Sequence, residues 1–159
     1  RSIDSQKHWT REKMWELQKR IGKDIPSGWR ICGENLYAEH SVSYNNLPDY
    51  FLMFSIWTDK NICLSWKETI EWGELLNLHT TPVLFEGKFA VQSLQSLMID
   101  TVKMEGYVVR LAHQYHYDDF QKYTLKWVRR NHVNSGKTNG KHWMYSNIKI
   151  ERNKLKWEI

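Results

Sequence analysis

The stretch Tyr50 to Trp57, YFLMFSIW, is apolar at nearly every position. A short run of this kind without a helical period reads as a buried strand, and such a strand needs other elements packed around it. Trp29 to Ala38, WRICGENLYA, reads as a second buried strand, joined to the first by a polar loop holding Asn45, Asn46 and Pro48. Residues 10–22 carry an amphipathic helical pattern. Thr10 is its candidate N-cap, Glu12 lies in the first turn, Met14, Leu17, Gln18 and Ile21 form the stripe, Lys19 and Arg20 come late, and Gly22 is the stop. Ser65-Trp66-Lys67-Glu68 predicts a capping box opening a second helix through Ile70, Trp72, Leu75 and Leu76. Pro82 to Phe85 reads as a strand, residues 89–99 as a short helix, and Glu105 to Leu111 and Tyr123 to Arg129 as strands. The tail IKIERNKLKWEI reads as a strand or an arm. Helices and strands alternate without a βαβ rhythm, which predicts one α+β domain over residues 1–159 with a mixed, largely antiparallel sheet.

Residues 104–110, MEGYVVR, pose a specific problem. On a strand Glu105, Tyr107 and Val109 share one face, so a carboxylate stands among packing residues. A Glu so placed is costly unless a cation, a metal or hydrogen-bond donors meet it. Gly106 beside it removes a side chain, the usual sign that a ligand or another backbone comes close.

Composition narrows the class: 41% apolar and 26% charged residues suit a globular domain. No apolar run approaches the roughly 20 residues of a membrane span, and no leader pattern opens the chain, so a cytoplasmic protein is expected. Cys32 and Cys63 lie in apolar runs without metal spacing and read as reduced core thiols with no disulfide partner. His113, His116, Asp118 and Asp119 match no strong metal signature and sit in what reads as a tyrosine-rich loop. Charge is unevenly placed. Residues 121–159 hold ten Lys or Arg against Glu151 and Glu158, a balance of +8, whereas the first 120 residues hold 13 basic and 16 acidic side chains. This excess is mixed with Tyr123, Trp127, Trp143, Tyr145 and Trp157. Such a mixture suits a polyanion, because cations meet phosphates and aromatic faces stack on bases; a set of solvated basic loops is the alternative.

Four apolar segments each contain one specialist residue: Glu34 in ICGENLY, Phe54 in YFLMFSIW, Glu105 in MEGYVVR and Lys126 in TLKWVR. With them stand His40 to Tyr44, Cys63 to Trp66, Lys126 to Val133 and His142 to Met144. In this order the segments resemble the ATP-dependent RNA ligases of the covalent nucleotidyltransferase superfamily, over residues 1 to about 144. The resemblance implies an adenylyltransferase domain that joins RNA 5′-phosphate and 3′-hydroxyl ends through AMP intermediates, with ATP as AMP donor and magnesium or manganese as cofactor. It implies that Glu34 accepts hydrogen bonds from the ribose, as an acceptor-only carboxylate can, and that Phe54 stacks on adenine. Glu105 would help bind the metal, and Lys126 would hold the α-phosphate. Arg1 would contact the nucleotide or RNA end, and Arg129, Arg130, His132 and Trp143 are the candidates for RNA contact.

Two departures stand out. Where many members carry a second lysine two places after Lys126, this chain has Val128, followed by Arg129. The nucleophilic lysine of a Lys-x-Asp-Gly motif should precede Arg-Ser-Ile-Asp-Ser, which here opens the chain; the expectation is therefore a fragment lacking that segment and unable to adenylylate itself. Lys137-Thr138-Asn139-Gly140 lies on the wrong side of every other motif to replace it. A non-catalytic RNA-binding module on the same scaffold, and a DNA ligase or capping relative, are the competing readings.

Overall fold

The computed structural model describes residues 9–39, 42–129 and 151–158. The fold is α+β with a largely antiparallel sheet. A 3-10 turn over Trp9–Arg11 leads into helix α1, Glu12–Ile21. Thr10 does not cap this helix: it lies inside the turn and is buried, while Arg11 occupies the cap without a side-chain bond. Gly22 ends the helix, its N–H donating to the Gln18 carbonyl.

Strands β1, Arg30–Asn35, and β2, Phe51–Trp57, pair antiparallel in the main sheet, with β1 at its edge. The far edge of β2 is shared. Antiparallel β3, Ile62–Cys63, covers its end, and parallel β4, His79–Thr80, covers Leu52 and Met53. Helix α2, Trp66–Leu76, connects them and opens with the predicted capping box: Ser65 accepts from the Glu68 N–H, and Glu68 accepts from the Ser65 N–H at 2.9 Å. β4 falls just before Pro82 to Phe85, which is not a strand; without an N–H at Pro82 the run cannot extend the ladder. The helix expected over residues 89–99 is confined to α3, Val91–Gln95.

A separate two-stranded sheet pairs β5, Gly106–Arg110, with β7, Thr124–Val128. Between them lie β6, Tyr115–His116, which joins the main sheet through β3, and helix α4, Phe120–Tyr123. The tyrosine-rich segment is thus built into the core. Tyr115 packs with Trp57 and Cys63, and Cys32, Leu111 and Tyr123 close around them. His116 pairs with Asp118 at 3.2 Å, and among the described residues no three His, Cys, Asp or Glu side chains gather into a metal cluster.

Register assigns the two faces of the central ladder. Gly33, Ile31, Met53 and Ile56 face one way; Ile31, Met53 and Ile56 pack there with Ile21, Leu64, Leu76 and Leu78 beneath the helices. Cys32, Glu34, Leu52, Ser55 and Trp57 face the other way, toward the segment that carries β5 to β7. Among the described residues, 151–158 form an arm rather than a strand. Ala38 bridges Arg152, Leu47 bridges Leu155, and Leu155 packs with Leu47 and Tyr50. No helix among the described residues is long and apolar enough to cross a membrane.

Candidate functional site

The pairing of β1 with β2 skips one residue. Cys32 faces Ser55 and Gly33 faces Met53, leaving Phe54 as the extra residue of a β-bulge. A bulge re-aims a side chain and frees backbone groups from the ladder. Phe54 is half-buried and belongs to none of the three hydrophobic clusters of the described residues, unlike Phe51, which packs into the core. Gly33 is required here because a Cβ would meet the Leu52 carbonyl oxygen at 2.6 Å and overlap the Phe51 ring.

The carbonyl of Phe54 points into the gap that β3 and β4 leave along the edge of β2. Arg110, the last residue of β5, fills that gap. Its Nη1 donates to the Phe54 carbonyl at 2.6 Å and its Nη2 to the Leu64 carbonyl at 2.9 Å, with the guanidinium over the Trp66 ring at 5.7 Å. One forked cation satisfies two backbone carbonyls, a geometry that a lysine ammonium does not reproduce. Arg110 therefore locks the two-stranded sheet to the bulge. Sequence reasoning noticed the arginine at the end of MEGYVVR but assigned it nothing, since its partners lie on other strands.

Glu105 lies one residue outside β5, at a bend, so the pleat that would have placed it among packing residues does not govern it. Its carbonyl accepts from the Arg129 N–H at 2.9 Å, which puts Glu105 opposite Arg129 at the end of the ladder. Gly106 answers a backbone rather than a ligand: a Cβ there would run into the Trp127 carbonyl oxygen and lie 3.0 Å from the Val128 Cα. Lys126 is exposed and pairs in register with Val108, on the face shared with Arg110, the face turned toward β2. On the opposite face Tyr107 and Trp127 stack with ring centroids 5.2 Å apart.

Tyr44 gathers the charges. Burial pushes its phenol above the ordinary tyrosine value; the carboxylates of Glu105 and Glu34 push it further, and the Arg129 guanidinium opposes them. Glu34 itself is exposed, opposite Leu52, on the ladder face away from the helices. Tyr44 enters the sequence reading only as part of a motif; its tie to Asn153, 109 residues away, emerges from folding. Arg1, Arg130, His132 and Trp143, like Lys137 to Gly140, lie outside the described residues.

Glu105 offers carboxylate oxygens from a half-buried position, and magnesium typically takes one or two protein carboxylates with phosphates and water supplying the rest.

Searches of curated proteins and of solved structures found no match. A protein-family model described as RNA ligase matches residues 1–128. That match spans most of the chain and takes in Glu34, Phe54, Glu105 and Lys126, and the chain belongs to the RNA ligase family.

Proposed function

We propose that this chain carries the nucleotide-binding part of an ATP-dependent RNA ligase, which seals a 5′-phosphate to a 3′-hydroxyl through an AMP-activated end. The observation that carries the reading is the RNA ligase family match across Glu34, Phe54, Glu105 and Lys126, together with the bulge that leaves Phe54 outside the hydrophobic clusters of the described residues. Phe54, re-aimed by its bulge, stacks on adenine; Glu34 accepts from the ribose hydroxyls; Lys126, a compact point charge, meets the phosphate. Glu105 would hold a magnesium or manganese ion, which neutralises phosphate charge when bound. In the sealing step the 3′-oxygen bonds to the 5′-phosphorus, the pyrophosphate bond to AMP breaks, AMP leaves with the electron pair, and the hydroxyl proton passes to solvent. The contribution of Lys126 is charge stabilisation where negative charge grows.

The test is sealing of a pre-adenylated RNA, which isolates this step from lysine adenylylation. The chain with magnesium is expected to join such an RNA to a 3′-hydroxyl acceptor, and Glu105→Ala to abolish joining while leaving RNA binding intact. RNA binding without sealing by the unaltered chain would instead establish the non-catalytic module suggested by the basic residues after position 120. Parallel nicked RNA and nicked DNA substrates decide the polynucleotide preference.

A further inference from the structure

Asn153 is 2% exposed, and both ends of its amide are used. Its Oδ1 accepts from the Tyr44 N–H at 2.8 Å. Its Nδ2 donates to the carbonyls of Leu36 at 2.9 Å and Ala38 at 3.2 Å, and its own N–H donates to the Tyr37 carbonyl at 3.1 Å. The Lys154 N–H adds a bond to the Tyr44 carbonyl at 2.8 Å. One buried side chain from the C-terminal arm thus ties the start of the segment between β1 and β2, at Leu36 and Ala38, to its middle, at the backbone of Tyr44. The arm is itself braced, because Glu158 accepts from the Leu155 N–H at 3.0 Å and from Arg152 at 2.7 Å.

We infer that Asn153 is a positioning residue for the nucleotide site, holding Tyr44 and the exit of the Glu34 strand at the separation that binding requires. The inference rests on the nucleotide reading above. Asn153 lies beyond residue 128, the end of the family match, so the family likeness does not supply it. A ligand site needs its contacting groups held by outer partners, and a primary amide is the side chain that both donates to two carbonyls and accepts from an N–H.

Calorimetric titration with AMP, on variants shown by circular dichroism to be folded, tests this. Asn153→Ala is expected to weaken AMP binding about tenfold, the usual scale for losing an outer-shell partner. Glu158→Ala loses the brace at the end of the same arm but keeps the Asn153 amide bonds; at a similar loss of thermal stability it should leave affinity nearly unchanged. Equal affinity of Asn153→Ala and the unaltered chain, or equal weakening in both variants, overturns the inference. If Asn153→Ala does not fold, amide exchange in the unaltered chain decides: AMP should slow exchange at Tyr44 and Lys154, and no slowing refutes the positioning role. Failure of the unaltered chain to bind AMP at all overturns the functional reading instead.

Discussion

Arg110 donates to the carbonyl of Phe54 at 2.6 Å, across 56 residues of chain, and thereby holds the bulge of β2 against the two-stranded sheet. Both groups are half-buried, and Leu64 depends on the same guanidinium. Arg110→Ala leaves two carbonyls without their partner, and a buried unsatisfied acceptor costs about 1–3 kcal/mol. Urea denaturation should show a loss in that range. Arg110→Lys should recover only part of it, because an ammonium on an unbranched stem does not span both oxygens.

Phe54 offers a contrast between platform and core. Phe54→Ala should weaken AMP binding by about 1–3 kcal/mol, the scale of a lost base-stacking contact. Its cost in folding stability should fall below the about 3–5 kcal/mol of a truncated core phenylalanine. A full core-sized loss with unchanged AMP affinity would return Phe54 to the interior.

At Gly106 an added methyl collides with the backbone of β7. Gly106→Ala should cost about 1–3 kcal/mol, as overpacking usually does, and speed amide exchange along β5 and β7. The same change displaces Glu105 from Arg129, so RNA sealing should fall with it.

Tyr44 carries a pH signature. Its folded-state pKa is raised, first by burial and then by Glu105 and Glu34, so the fold favours the neutral phenol. The associated stability is fully present below the unfolded tyrosine value of about 10 and is lost as pH rises through the higher folded value. Tyr50 and Tyr115 are also raised by burial, so tyrosinate absorbance should show several late-titrating phenols, one of which disappears in Tyr44→Phe. Glu34→Gln and Glu105→Gln should each move it back toward the ordinary range; no movement in either would separate the two acids from this hydroxyl.

The capping box of α2 titrates in the opposite sense. Hydrogen bonds from the Ser65 hydroxyl and N–H hold Glu68 below the ordinary carboxylate value. Its contribution is present above that value and lost as pH falls through the lower folded one. Ser65→Ala should cost about 1 kcal/mol at neutral pH in thermal denaturation, and less in acid.

The amino-acid sequence alone determined the local elements whose causes lie within a few residues. The capping box, the stop at Gly22, the buried strand β2 and the crowding around Gly106 follow from side-chain chemistry and short-range periodicity, whereas β1, expected to be buried, has only half-buried and exposed residues. The ordered motifs also brought the family within reach, because they survive as strings. Where a signal needed a distant partner, it failed. Pro82 to Phe85 has strand-forming residues, but the strand is the pair His79–Thr80, because only those residues find a place beside Leu52 and Met53. Thr10 looks like a cap yet is buried by packing. Tertiary structure decided that Phe54 is the bulged residue, that Arg110 seals the gap behind it, and that Asn153 ties Tyr44 to the chain leaving β1. Each of these depends on register or on a hydrogen bond between strands remote in the chain, and neither composition nor periodicity encodes which remote backbone will lie alongside.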